Sequence, residues 1–275
     1  MSREWRFLQM LKRSGRGHES GGTENIPAGA CALLCPTCPQ PGINLPRDNS
    51  WQDAPPNERY LYSLFLAIDA NFKMKRKQVS SEDADPGLNQ GAAFFSDVAP
   101  YMAHVQEHWG LEQEVSLDIA SYDAWLTMIT EKYINMDYML LKSLSPSPYA
   151  NLIDIIISYD IACQWSKNLW FRVAKYRPEL QDAAKLPSRR RYVFLIPKFH
   201  LPAHIERCNI DYSFDLTPNV GRTDGEAPER GWANANPLAS STREMGPGSR
   251  RDTIDDHFND WNHKKSAWAN HYSKK

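Results

Sequence analysis

Three short apolar runs stand out from an otherwise polar chain: "YLYSLFLAIDANF" at 60–72, "NLIDIIISYD" at 151–160 and "RYVFLIPKF" at 191–199. Each has strand length and is continuous rather than alternating, the pattern of a strand covered on both faces. The first two close on an aspartate, Asp69 and Asp160, where a buried strand would not choose one without reason. Between the second and third runs, "IACQWSKNLWFRVAKY" reads as a helix packed back on the strand, with Pro178 beyond its end. Strand, helix and strand in this order predict a parallel crossover.

Helical spacing recurs elsewhere. Trp5, Leu8 and Leu11 predict a short amphipathic helix over 1–13. From Ser116 to about Leu144, the residues Tyr122, Trp125, Leu126, Ile129, Tyr133, Met136 and Leu140 form one apolar stripe, ended by "SPSP". "DDHFNDWNHKKSAWANHY" near the C-terminus predicts one more helix. "SGRGHESGG", residues 46–58 and residues 80–100 with their "DPGLNQG" turn read as irregular connections. The chain after residue 205 is polar and glycine-rich, and no internal repeat is visible. The expected fold class is therefore α/β, with three parallel strands, flanking helices and long irregular segments.

Composition narrows the picture. Apolar residues make up 41% of the 275, with nine tryptophans and twelve tyrosines, enough for a packed core. Nineteen prolines and a mean hydropathy of -0.59 agree with long connections. A net charge of -1 gives the whole chain no electrostatic case for nucleic acid, so such a case rests on local patches. The candidates are Arg3, Arg6, Lys12, Arg13 and Arg16; Lys73 to Lys77; Arg189 to Arg191; and Arg250, Arg251, Lys264 and Lys265. No apolar segment reaches membrane-spanning length, and the N-terminus is too charged for a signal peptide. Five cysteines, an odd number, fit a reducing compartment, nucleus or cytoplasm, better than secretion.

Several residues carry candidate chemistry. Side-by-side parallel strands would bring Asp69 and Asp160 to one edge of the sheet, where open α/β sheets place their sites. Two adjacent carboxylates repel unless a divalent cation lies between them, and carboxylate oxygens suit Mg²⁺ or Mn²⁺. The competing account makes each aspartate the N-cap of a following helix. "GEAPERGWA" offers Glu226 and Glu229 on one helical face, with Pro228 in a first turn. Glutamates at that position are favoured by the helix dipole whether or not they bind metal, and on the residues alone a surface loop is the better account. Cys31, Cys35 and Cys38 form C-x3-C-x2-C; a Zn²⁺ site wants four ligands, and His18 is the available fourth. His200, His204 and Cys208 recur at four-residue intervals, but Pro202 interrupts a common helical face, so histidines bonded to loop carbonyls are expected there. Cys163 reads as a small buried apolar residue.

Taken together, "CPTCPQPGINLP", "LYSLFLAIDANFKMKRK", "YINMDYMLL", "ISYDIACQWSKNLW", "FLIPKFHLPAHIERC" and "TPNVGRTDGEAPERGWANANPLASSTREMGPGSRRDTIDDHFNDWN" closely resemble fungal KDZ (Kyakuja–Dileera–Zisupton) transposases, in the same order over most of residues 3–265. The resemblance implies a ribonuclease-H-like core over residues 51–265. Residues 1–50 would be the tail of a CxC2-like cysteine module or the linker after it, and 266–275 a polar tail. Asp69 matches the family's first carboxylate and Asp160 its second. The third falls on Glu229, with Glu226 the close alternative. The implied chemistry is Mg²⁺- or Mn²⁺-dependent hydrolysis and strand transfer of DNA at transposon ends, in the nucleus. Relatives carry a longer stretch between the "DPGL" turn and "YxNMDY", including a glycine- and valine-rich strand and a "GVGDL"-like turn. Its counterpart is missing between Pro100 and Tyr133, which implies an incomplete core that lacks an edge hairpin. Two functions follow from the resemblance: a transposase-derived enzyme, or a non-catalytic remnant that binds nucleic acid or a partner. An unrelated hydrolase with carboxylates at its strand ends is a third.

Overall fold

The structure is a computed structural model, and it describes residues 2–89, 91–109, 132–145, 149–185, 188 and 190–272. Among the described residues three strands are present, β1 (Leu64–Ile68), β2 (Asp154–Tyr159) and β3 (Arg191–Leu195). The α-helices are α1 (Arg3–Arg13), α2 (Val98–His108), α3 (Tyr133–Leu144), α4 (Ala162–Trp165), α5 (Leu169–Val173), α6 (Pro178–Lys185), α7 (Glu206–Asp211), α8 (Ala227–Ala235), α9 (Leu238–Thr242) and α10 (Pro247–Tyr272). The chain divides into two units, one made of 1–37, 71–102 and 232–275, the other of 38–70 and 103–231.

The second unit holds the sheet, in the order β1-β2-β3 with both pairings parallel. The three apolar runs are thus strands, shorter than their hydrophobic spans. A 3-10 turn at Arg59–Tyr62 takes up the start of the first run, closed by Ser63 Oγ donating to the Arg59 carbonyl at 3.2 Å. β2 is buried from Ile155 to Tyr159, as a central strand of a covered sheet must be. Ile156, Leu195, Phe214 and Val220 pack together on one face. β1 lies at the edge of the sheet among the described residues, and it buries Leu64 while exposing Phe65 and Ala67. The architecture is mixed α/β with a three-stranded parallel sheet flanked by helices, consistent with a partial ribonuclease-H-like core. Residues 110–131, which contain most of the first half of the expected 116–144 helix and most of the shortened region, lie outside the described residues. The second half is helical as α3.

Where the sequence predicts one helix after β2, the structure has α4, a 3-10 turn at Ser166–Asn168, and α5. The break has a physical cause in α3. Asp137 is fully buried and accepts hydrogen bonds from Trp165 Nε1 (2.7 Å), Arg172 Nε (2.6 Å), Arg172 Nη2 (2.9 Å) and the Tyr176 hydroxyl (2.6 Å). Arg172 Nη2 also donates to the Trp165 carbonyl at 3.0 Å, so the chain must turn to bring residues 165, 172 and 176 to one carboxylate. Burial raises the Asp137 carboxyl from its ordinary range, and the bonds from Arg172, Tyr176 and Trp165 oppose that rise. Pro178 opens α6 as its first residue, a position that tolerates its missing N–H.

In the first unit, α1 packs along α10 on a face that takes in Leu11 but not Trp5 and Leu8 of the three residues the spacing predicts. Met10 and Leu11 are buried, whereas Trp5 and Leu8 are half exposed, at 50% and 56%. Ion pairing sets the rotation. Arg3 pairs with Asp252 (2.6 Å) and Asp85 (2.9 Å), and Arg13 with Asp256 (3.1 Å) and Asp260 (2.8 Å). Asp252, Asp256 and Asp260 recur every four residues along one face of α10. α10 begins at Pro247, earlier than the pattern at 255–272 suggests, because Asp85 caps it from the "DPGL" turn. The Asp85 carbonyl accepts from Gly248 N–H (2.9 Å) and its carboxylate from Ser249 N–H (2.8 Å).

Asp137→Ala leaves Arg172 buried without its partner, and it should lower unfolding stability by about 3–5 kcal/mol, measured by urea titration. A second effect depends on pH. His104 is 2% exposed and packs against His108, Tyr138 and Tyr176 at 4.9, 5.0 and 4.6 Å between ring centroids. Burial pushes its pKa down to about 4, with Glu107 opposing and His108 and Arg177 adding to the shift, and burial lowers that of His108 as well. In the unfolded chain these rings protonate near 6.5, so the unfolded state binds more protons between the two values. The stabilisation is present above pH 6.5 and is lost as the pH falls toward 4, by up to about 3 kcal/mol from His104. Urea midpoints taken from pH 7.5 to 4.5 should fall less steeply in His104→Gln than in the wild type.

Candidate active site at the carboxyl edge of the sheet

Parallel pairing places the two strand-end aspartates side by side. Ile68 is opposite Tyr159 in the register, so Asp69 and Asp160 follow directly on adjacent strands. Neither caps the next helix in the usual way. The 3-10 turn at Phe72–Met74 is capped by Asn71, whose side chain accepts from Lys73 N–H at 3.0 Å. α4 has Ile161 at its N-cap with no side-chain cap bond, and Asp160 Oδ1 accepts from the adjacent Ile161 N–H, at 2.7 Å. Burial raises the Asp160 carboxyl above its ordinary range. The Ile161 amide, His200 and His204 counter that rise, and the nearby charge of Asp69 adds to it.

The loop at 224–226 is tied to the same edge by backbone and side-chain bonds. Ser158 Oγ, on β2, donates to the Gly225 carbonyl at 3.2 Å, and Lys198 N–H, just past β3, donates to the Asp224 carbonyl at 2.9 Å. Phe199 N–H donates to Glu226 Oε1 at 2.8 Å. Asp224 Oδ1 accepts from Glu226 N–H at 3.0 Å, and its carboxylate pairs with Arg230, which fixes the entry into α8. Gly225 sits at φ +79°, and a Cβ there would run into Ser158 Oγ and the Phe214 ring. This is why "TDGEAPERG" needs its glycine at 225. Pro228 and Glu229 then fall in the first turn of α8, where the helix dipole favours an acidic residue.

His200 joins the two halves of the edge. Its Nε2 is 3.3 Å from Glu229 Oε1, and the imidazole, when protonated, favours ionised Asp160. His200, Glu226 and Glu229 offer ligand atoms that all lie within 4.8 Å of one another. Burial raises the Glu226 carboxyl; the Phe199 amide opposes this and neighbouring Glu229 adds to it. Among the described residues Glu229 Oε2 is buried without a hydrogen-bond partner, whereas Glu226 Oε1 is already bonded to the Phe199 amide. A second group within the same 4.8 Å limit comprises Cys163, His204 and Cys208.

Residue reasoning undervalued His200, His204 and Cys163. The available signal was position: His200 and His204 lie in the loop that follows the third strand, on the side of the sheet where Asp69 and Asp160 end the other two. Cys31, Cys35 and Cys38 belong to neither group. Cys31 is buried in the first unit beside Met10, Leu11, Ala92 and Ala93, and burial raises its thiol; Cys35 Sγ lies 3.1 Å from Thr37 Oγ1. Many of the candidate basic residues have internal partners. Beyond Arg3 and Arg13, Arg16 pairs with Glu19, Arg191 with Asp154, Arg251 with Glu82 and Lys77 with Glu244. Arg190 donates to the carbonyls of Tyr149, Ala150, Leu152 and Ala183.

Gly225→Ala should therefore destabilise the chain by about 1–3 kcal/mol through overpacking and strain. It should also displace Glu226 and Glu229, which a loss of amide-exchange protection at Phe199 would report.

The family model for the Kyakuja-Dileera-Zisupton (KDZ) transposase matches residues 125–262, half of the 275-residue chain. No curated protein and no solved structure matches the chain. The matched span contains Asp160, His200, Glu226 and Glu229, while Asp69 and the N-terminal cysteines precede it. The residues at the carboxyl edge of β2 and β3 and at the start of α8 thus lie within the transposase domain, and the chain belongs to the KDZ transposase family.

Proposed function

We propose that this chain cleaves and joins DNA phosphodiesters at transposon ends, with Asp69, Asp160 and Glu229 as the carboxylates of a Mg²⁺- or Mn²⁺-dependent site. The observation that carries the proposal is the pairing of Asp69 and Asp160 at adjacent carboxyl ends of parallel strands, where neither serves as an ordinary helix cap. The donor set suits a hard divalent cation in kind, all carboxylate oxygen, with a buried Glu229 oxygen that has no hydrogen-bond partner among the described residues. Asp69, Asp160 and Glu229 do not lie mutually within 4.8 Å in this structure, so holding one ion requires their side chains to draw together. When bound, the cation would activate water and stabilise the leaving oxyanion at phosphorus. The chain's own residues position that chemistry. Ser158, Lys198 and Phe199 hold the 224–226 loop against the sheet edge, and His200 bonds Glu229 and, when protonated, favours ionised Asp160.

Glu229 is the better third carboxylate, because Glu226 is bonded to the Phe199 amide. DNA is the partner this reading requires, and the nucleus the compartment. Residues 51–265 would form the transposase domain, with 1–50 a cysteine-containing segment before it and 266–275 a tail. Among the described residues no helix is long and apolar enough to cross a membrane.

The test is nicking of supercoiled DNA by purified protein with Mg²⁺ or Mn²⁺. Asp160→Asn and Glu229→Gln should each lower the rate by ~100-fold or more, and Glu226→Gln by less. Equal nicking by wild type and Asp160→Asn would overturn the catalytic reading. DNA binding without nicking would favour the non-catalytic remnant.

A further inference from the structure

The Cys163, His204 and Cys208 cluster lies beside the carboxylate edge but differs from it in chemistry. Cys163 is on α4, His204 follows the 3-10 turn at Leu201–Ala203, and Cys208 is on α7. Cys163 Sγ and His204 Nδ1 are 3.4 Å apart, and the ligand atoms of all three lie within 4.8 Å of one another. Two ligands of a tetrahedral Zn²⁺ with Zn–S of ~2.3 Å and Zn–N of ~2.0 Å stand about 3.5 Å apart. The observed Sγ–Nδ1 separation is close to that value. Cys163 and Cys208 are buried and His204 is half-buried.

The same three side chains line one wall of a cleft of about 840 Å³, with Lys167, Asp211 and Tyr212 among the other lining residues. Three protein ligands with an open side toward a cleft leave a fourth position for water or another small ligand. His204 also lies within the electrostatic reach of Asp160, and a carboxylate acting on a metal-bound imidazole is a common supporting arrangement.

We propose that Cys163, His204 and Cys208 form a Zn²⁺ site that fastens α4 to α7, with its fourth coordination position open to the cleft. It is separate from the carboxylate site: two thiolates and an imidazole select a softer ion than Mg²⁺. Binding replaces two thiol protons, one from each cysteine, with Zn²⁺, and it leaves a site of zero net charge. Both thiols must lose their protons for the sulfurs to bind the metal. Affinity should therefore weaken steeply on acidification, by up to ~100-fold per pH unit for two displaced protons.

The experiment uses full-length protein carrying Cys35→Ser and Cys38→Ser, which removes competing thiolates at the N-terminal segment. After chelation it is titrated with Co²⁺ and then Zn²⁺. The expected result is one equivalent of Co²⁺ with thiolate-to-cobalt charge-transfer absorption and tetrahedral d–d bands, displaced by Zn²⁺. Adding Cys163→Ser or Cys208→Ser should remove the charge-transfer intensity in proportion and weaken Zn²⁺ binding at least tenfold. X-ray absorption at the zinc edge of the background protein should show two sulfur neighbours and at least one nitrogen, a readout independent of whether the single variants fold. An all-oxygen shell, charge transfer that survives both substitutions, or isolation of Cys163 and Cys208 as a mutual disulfide would overturn the proposal. None of these measurements depends on DNA cleavage, so failure here is distinguishable from failure of the nicking test.

Discussion

A single buried carboxylate organises the sheet-bearing unit. Asp137 has no exposed surface and accepts four hydrogen bonds, from Trp165, Arg172 and Tyr176. An ion so deeply buried is tolerated only if its lone pairs are filled, so its partners cannot move independently. Trp165, held by its indole N–H, packs edge-on against Tyr159 of β2 at 5.6 Å and Phe194 of β3 at 5.7 Å. Tyr159 immediately precedes Asp160. The carboxylate at the centre of α3 is thus linked through one tryptophan to the strand end that presents a candidate catalytic group.

The strands were legible because burial on both faces leaves a direct mark, a run of apolar residues bounded by polar ones. Local patterns said less about which face an element presents. The period of α1 correctly indicates a helix, but its most conspicuous apolar residues, Trp5 and Leu8, are half exposed. Four-residue spacing of Asp252, Asp256 and Asp260 on a helix nearly 250 residues away fixes the rotation of α1. The same limit applies to the basic segments. Arg3, Arg13, Arg190, Arg191 and Arg251 look like a surface for phosphate when counted along the chain. In the fold they bind carboxylates and carbonyls, a pairing visible only after distant elements meet. The Asp137 network, too, leaves only a faint trace in the sequence: an aspartate within the apolar stripe of a predicted helix, with Trp165 and Arg172 seven residues apart.

At the candidate site the legible part was topological. A polar residue at the end of an apolar strand has few structural reasons to be there, and parallel order brings such residues together. Asp69 and Asp160 could be found in that way. Glu226 and Glu229 could not be separated from an ordinary acidic helix start, since the dipole favours them in either case. Their placement depends on Gly225 meeting Ser158 and on the Phe199 amide, contacts across 67 and 27 residues of sequence. Cys163 illustrates the opposite error: alone it reads as a buried apolar residue, and only the fold brings it to His204 and Cys208, whose four-residue spacing the sequence did show.

The distribution of charge at the edge explains why His200 matters. Asp69 raises the carboxyl of Asp160, and Glu229 raises that of Glu226, so each acidic pair is self-repelling. Without a counter-charge the pairs would relax by protonation or by separation, and the bonds from Ser158, Lys198 and Phe199 restrict separation of the glutamate pair. His200 bonds one member of that pair and lowers the cost of ionising Asp160. When protonated, its imidazole would supply part of the counter-charge that a divalent ion held by these carboxylates would provide.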